Sequence, residues 1–168
     1  MADYFSQTVI QPDVPVAAMT VLERRILGEI FEHEDMGDDV YFFASAGPND
    51  FLFLSVDEAE TLLADSKGVQ SCAAELVEKE LGECEAGTTE LEIDMSMFGY
   101  EAILQDIVRR SDTLDHFQVK MAWTCSKMRP DGFGGMAIFI TADDIDTMST
   151  TGFLEEALGR LQGDDPPG

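Results

Sequence analysis

Apolar residues recur along this chain in two rhythms, and each rhythm marks an element. Leu22, Ile26 and Ile30 stand four apart, with Leu27 and Phe31 beside them. That spacing predicts an amphipathic helix over Val21–Glu32. Thr20 and Glu23 open it as a capping box, in which a hydroxyl and a carboxylate satisfy free amides of the first turn. Ser55 and Glu58 repeat the device and predict a helix running to Asp65. A third helical pattern runs through Val69, Cys72, Ala73, Leu76, Val77 and Leu81 and stops at Gly82. Ile103, Leu104, Ile107 and Val108 predict a fourth helix. Phe153–Leu161 predicts a short last one, after a break at Gly152.

Strict alternation predicts strands. Thr89–Ser96 turns Leu91, Ile93 and Met95 one way and Glu90, Glu92 and Asp94 the other. His116–Ser126 places Phe117, Val119, Met121, Trp123 and Cys125 on one face. Val40–Ala46 and Phe51–Ser55 flank Gly47-Pro48-Asn49-Asp50, whose residue types favour a tight turn, so a hairpin is expected there. Met136–Thr141 is expected to pair back across the loop Met128–Gly135. Thr141-Ala-Asp-Asp144 has the form of another helix start. His33–Asp39 reads as a polar loop. The two hairpins rhyme, each ending in a hydroxyl cap and an acidic turn, which suggests a duplicated strand-strand-helix unit or a generic strand-to-helix junction.

These elements indicate an α+β fold with a mostly antiparallel sheet of about five strands and four to six helices. Its 168 residues suit one domain with a sizeable core. Residues 1–162 are expected to form it. Residues 1–18, with Pro12 and Pro15 and little periodicity, read as an extended arm, and 163–168 as a flexible tail.

Charge changes the picture. The chain has 34 Asp plus Glu against 10 Lys plus Arg, a net charge of -24, yet 45% of its residues are hydrophobic. It is therefore globular, not a disordered acidic polymer. Direct nucleic-acid binding is not expected, because that needs a basic footprint. No apolar run is long enough to suggest a membrane span. The first ten residues lack the cationic start of a secretory signal. Cys72, Cys84 and Cys125 are an odd number without close pairing, so a reducing cytoplasm is the expected compartment.

Candidate chemistry is sparse. Asp115, His116 and Cys125 suggest a nucleophile and its base, but His116 and Cys125 are nine positions apart on one strand and fall on opposite faces. Glu32, His33, Glu34, Asp35, Asp38 and Asp39 are oxygen-rich enough for a hard cation, without the ligand spacing of an EF-hand. Lys127 and Arg129 beside a glycine-rich loop suggest an anion cradle, without P-loop spacing. Met121, Trp123, Met128 and Met136 gather soft apolar groups near one hairpin. No catalytic residue, metal ligand or cofactor is expected.

The segment Cys125-Ser-Lys-Met-Arg-Pro-Asp-Gly-Phe-Gly-Gly-Met-Ala-Ile-Phe-Ile-Thr141, with Gln105–Ser111 and Phe5-Ser-Gln-Thr8, resembles small acidic proteins carried by bacterial plasmids and related mobile elements. That resemblance implies no activity and transfers no site residue. It implies a setting where inhibitors of host defence are common.

The acidity is concentrated. Residues 29–94 hold 19 acidic residues and two lysines, a net of -17. Self-repulsion of that size opposes compaction, and three uses compete: solubility, defence of a sheet edge by Glu90, Glu92 and Asp94, or a strongly basic partner. A domain of this size is ~40 Å wide, and duplex DNA carries ~24 charges over that length. The expectation is a non-enzymatic protein that occupies a basic, nucleic-acid-binding partner as a duplex mimic. Its expected contacts are Glu75, Glu78, Glu90, Glu92 and Asp94, then Asp57, Glu58 and Glu60. The rival expectations are an interaction or homodimeric module whose acidity serves only solubility, and an enzyme using the acidic loop and a metal through His33.

Overall fold

The computed structural model describes residues 2–96 and 99–163. Its strands are β1 (Tyr4–Gln11), β2 (Val14–Pro15), β3 (Glu32–Met36), β4 (Asp39–Ala44), β5 (Phe51–Ser55), β6 (Glu90–Asp94), β7 (His116–Cys125), β8 (Gly134–Thr141) and β9 (Ile145–Ser149). Its α-helices are α1 (Val21–Ile30), α2 (Val56–Asp65), α3 (Cys72–Glu83), α4 (Tyr100–Arg110) and α5 (Thr150–Gly163). The class is α+β and every strand pairing is antiparallel.

Seven strands make the main sheet and two make a second. β4 takes β3 on one edge and β1 with β2 on the other; β7, β8 and β9 follow β1. The sheet therefore runs from a β3 edge to a β9 edge. One face buries Thr8, Ile10, Val40, Phe42, Phe117, Val119, Ile138 and Ile140. The other carries exposed Gln7, Gln118, Lys120, Ala122, Ala137 and Phe139. Leu22, Ile26, Leu27 and Ile30 of α1 are buried, as are Ile103, Leu104 and Ile107 of α4. The β5–β6 pair adds Leu52, Leu54, Leu91 and Ile93 to the same core.

Several expectations are corrected. Residues 4–11 are not an arm but a strand paired on both sides, by β4 and β7. Val40–Ala46 and Phe51–Ser55 do not form a hairpin, because β5 pairs with β6. Asn49 is tied instead to the end of α1, its amide donating to Ile30 O at 2.8 Å and its side chain to Glu29 O at 2.6 Å. His33–Asp39 is not a loop but β3 and the tight turn into β4, with Gly37 at φ 82°. Thr141 does accept the amide of Asp144 at 3.1 Å, but this closes a hairpin turn into β9, not a helix. The duplicated unit therefore fails in both copies, the first having no hairpin and the second no helix after it. Gly152 lies inside α5, not at a break, and Gly163 is its last residue. The rest of the proposed tail, 164–168, lies outside the described residues.

The capping boxes diverge. Thr20 and Glu23 form both reciprocal bonds, at 3.1 and 2.8 Å. Ser55 caps Glu58 N at 3.1 Å, but the Glu58 carboxylate turns to Arg25 at 2.7 Å.

Glu23 does more than cap. Its side chain has no solvent exposure and receives Ser71 Oγ at 2.7 Å and the guanidinium of Arg110. Ser71 caps α3, and Arg110 ends α4. One buried carboxylate thereby joins the starts of α1 and α3 to the end of α4. Removing one member of a buried ion pair leaves the other charge uncompensated. We expect Arg110→Ala to lower unfolding free energy by about 3 kcal/mol, while Arg24→Ala, at an exposed pair with Asp35, costs under about 1 kcal/mol. Urea titration of the two variants checks the difference.

Candidate partner-binding surface

β5 and β6 place their residues in strict register: Phe51 opposite Asp94, Phe53 opposite Glu92 and Ser55 opposite Glu90. The residues between them, Leu52, Leu54, Leu91 and Ile93, are buried, so these three pairs all face outward. Cross-strand neighbours on one face lie ~5 Å apart, and successive same-face residues are ~6.7 Å apart. The outward face is thus a row of three carboxylates beside two phenylalanine rings, each 47% exposed.

The row continues onto α2. Ser55 ends β5 and caps α2, and Val56 N donates to Thr89 O at 3.1 Å. Asp57 and Glu60 are exposed in the first turns of α2, which starts beside the Glu90 end of the row. The positive end of the helix dipole favours acidic groups there. At the other end, Asp94 accepts from Ser96 N at 2.9 Å and Ser96 Oγ at 2.6 Å. These bonds hold its carboxyl below the usual range, so it stays charged as pH falls. Among the described residues, none of Asp57, Glu60, Glu90, Glu92 and Asp94 has an ion-pair partner.

The other expected contact residues are placed differently. Glu58 is half-buried and held by Arg25, which gives it a structural task. Glu75 lines a recess with Asp106, Arg109 and Arg110, a site of mixed charge. Glu78 is exposed one turn further along α3. Phe51 and Phe53 were not among the expected residues. Their signal was present in Phe51-Leu-Phe-Leu54, since burying the leucines forces the phenylalanines outward.

The chemical candidates are dispersed. Alternation along β3 puts Glu32 and Glu34 on one face and His33 and Asp35 on the other. Ser45 donates its amide and hydroxyl to Glu32, holding that carboxyl low. Among the described residues, no three His, Cys, Asp or Glu side chains gather where a metal ion could sit. His116 stacks on Phe139 with ring centroids 4.9 Å apart, while Cys125 is buried. Burial, and then Asp106, push the Cys72 thiol up, making it a poor nucleophile. The glycine-rich loop serves packing: a Cβ at Gly132 would run into Cys125 and Tyr4.

A recess of about 360 Å³ opens at the start of α4, lined in part by Asn49, Asp50, Ser96, Tyr100, Glu101 and Met121. Burial raises the Glu101 carboxyl above its usual range. A carboxyl with a raised folded-state pKa stabilises the fold fully below its unfolded pKa, and that contribution is lost as pH rises through the folded value. Glu101→Gln is therefore expected to melt above the wild type at neutral pH. The gain should vanish as pH falls through the ordinary glutamate range. Thermal melts of both proteins across that range measure it.

No family model, curated protein or solved structure matches this chain.

Proposed function

We propose that this protein is a non-enzymatic binding protein whose acidic surface occupies the basic nucleic-acid site of a partner protein, in place of a duplex. The observation that carries the reading is the uncompensated row of Glu90, Glu92 and Asp94, continued by Asp57 and Glu60. A single region of the fold displays these carboxylates on a regular strand and the helix start beside it. Their spacing of ~6.7 Å along β6 is about twice the ~3.4 Å axial rise per phosphate of one DNA strand. A groove lined with Lys and Arg meets both as a linear array of negative charge.

Two further features support this reading. The exposed rings of Phe51 and Phe53 beside the carboxylates supply apolar contact that a purely ionic surface lacks, and aromatic side chains are enriched at interface centres. The likeness of the Cys125–Thr141 segment to plasmid-borne acidic proteins suggests a setting in which blocking a host nucleic-acid-binding protein is useful. The proposed contact set is Asp57, Glu60, Glu90, Glu92 and Asp94, flanked by Phe51 and Phe53. Glu58, Glu75 and Glu78 contribute to the surrounding field.

The test is the triple variant Glu90→Lys, Glu92→Lys, Asp94→Lys, used as bait against nuclease-treated bacterial lysate. These side chains point to solvent, so circular dichroism should match the wild type. The wild type is expected to retain a basic nucleic-acid-binding protein at low salt and release it as salt rises, since screening weakens exposed charge contacts. The variant is expected to retain none. Equal retention by the two baits, or retention indifferent to salt, would overturn the proposal.

A further inference from the structure

The β5–β6 sheet stops at two strands. Among the described residues, β6 pairs with β5 and with no other strand. Two-stranded ribbons are marginal by themselves and are steadied by a further strand or by a helix. Helices α1, α2 and α3 pack against this pair, on the face where Leu52, Leu54, Leu91 and Ile93 are buried. The far edge of β6 has no strand beside it.

The ladder shows which backbone groups lie on that edge. Met95 N donates to Asp50 O at 2.7 Å, and Thr89 O accepts from Val56 N at 3.1 Å. Both bonds cross to the β5 side. In an antiparallel pair, the N–H and C=O groups of successive residues point alternately toward the partner and away from it. Thr89, Leu91, Ile93 and Met95 therefore turn their backbone groups to β5. Glu90, Glu92 and Asp94 turn theirs to the free edge. Among the described residues, no other backbone group bonds to the amides or carbonyls of these three.

This edge differs from the open edge of the main sheet. β3 is exposed at every position, so a strand added there covers nothing that is already half-buried. β6 alternates exposed and buried residues. A strand beside it sets one row of side chains next to Glu90, Glu92 and Asp94 and the other row inward, next to Leu91 and Ile93.

Charge selects the occupant. Same-face residues repeat every ~6.7 Å and neighbouring strands lie ~4.8 Å apart, so each carboxylate meets one outward side chain of the added strand. Opposite charges directly across a ladder stabilise it, and like charges destabilise it. The row therefore deters a second copy of β6 and favours a strand with Lys or Arg at alternate positions. A strand added to β5 instead stands ~10 Å from these carboxylates, too far for the same pairing.

We propose that β6 takes up an extended segment of its partner as a third strand, with Lys or Arg facing Glu90, Glu92 and Asp94 and apolar side chains between them. Strand addition of this kind draws affinity from main-chain hydrogen bonds and specificity from alternate side chains. The inference rests on the acidic row being the partner-binding surface, and it names the form of the basic element that the row receives.

The probe is a short synthetic peptide of alternating lysine and valine, labelled and titrated against the full chain by fluorescence anisotropy. Two derivatives separate backbone pairing from charge. One is N-methylated at alternate amides, the other at the remaining amides. Both keep every side chain, and each has one edge that cannot donate. A strand seated on β6 uses one edge only. One derivative is thus expected to bind about tenfold or more weakly, the scale of losing two or three backbone hydrogen bonds, while the other keeps the affinity of the parent peptide. Amide exchange at Glu90, Glu92 and Asp94 should slow in the complex. Equal affinities for the two derivatives, no binding of the parent peptide, or unslowed exchange at these amides would sink the inference. The two readings fail separately. If strand pairing fails while the triple lysine variant still loses its lysate partner, the acidic row stands as a binding surface and only the added strand is lost. A triple variant that keeps its partner removes both.

Discussion

The Glu23 carboxylate is the point on which the helical layer depends. It has no contact with water, and a buried charge costs several kcal/mol unless its partners are well placed. Here the partners are the amide of Thr20, the hydroxyl of Ser71 and the guanidinium of Arg110. Each comes from a different place in the chain. The same glutamate that starts α1 therefore fixes where α3 starts and where α4 ends. Asp106 repeats the logic one turn back on α4, accepting the amide of Cys72 at 2.8 Å.

This arrangement bears on the acidic surface. Arg24, Arg25, Arg109 and Arg110 pair with Asp35, Glu29, Glu58, Asp106 and Glu23. Arg25 and Arg110 hold α1 to α2 and to α4. Two of the chain's ten cations are thus occupied in joining helices, and among the described residues none forms an ion pair with the β6 row. The field of that surface is the sum of carboxylates set on rigid elements, so no loop needs to order when a partner arrives. Preorganisation of that kind lowers the entropic cost of binding.

Local chemistry was legible in the sequence and pairing between distant segments was not. The alternation over residues 90–94 and 116–125 identified β6 and β7, and the α1 capping box formed as read. The hairpin expected at Gly47–Asp50 failed because turn propensity does not choose a strand's partner. Asn49 bonds to the end of α1, and the five residues of β5 find a match of equal length in β6, 34 residues beyond the start of α2. Thr141 capped a turn instead of a helix because Ile145–Ser149 can extend the sheet beside β8, and a hydroxyl cap serves either outcome. β1 was misread because Pro12 and Pro15 follow it closely, while Thr8, Val9 and Ile10 carry a short buried alternation. In the candidate surface, Glu90, Glu92 and Asp94 were legible from alternation alone. Phe51 and Phe53 were hidden by the wrong hairpin, and Glu58 was lost to Arg25, a contact 33 residues away in sequence.

Two surfaces of opposite character emerge from one chain. The β6 face, with Asp57 and Glu60 at the start of α2, carries carboxylates without ion-pair partners among the described residues; α5 exposes the apolar side chains Phe153, Leu154, Leu158 and Leu161. The most direct test of the central claim is displacement. The protein is immobilised, loaded with its captured partner from nuclease-treated lysate, and challenged with a short DNA duplex at constant salt. If the acidic row occupies a nucleic-acid site, the duplex releases the partner and leaves with it. A partner that stays on the immobilised protein while also binding the duplex would contradict the claim.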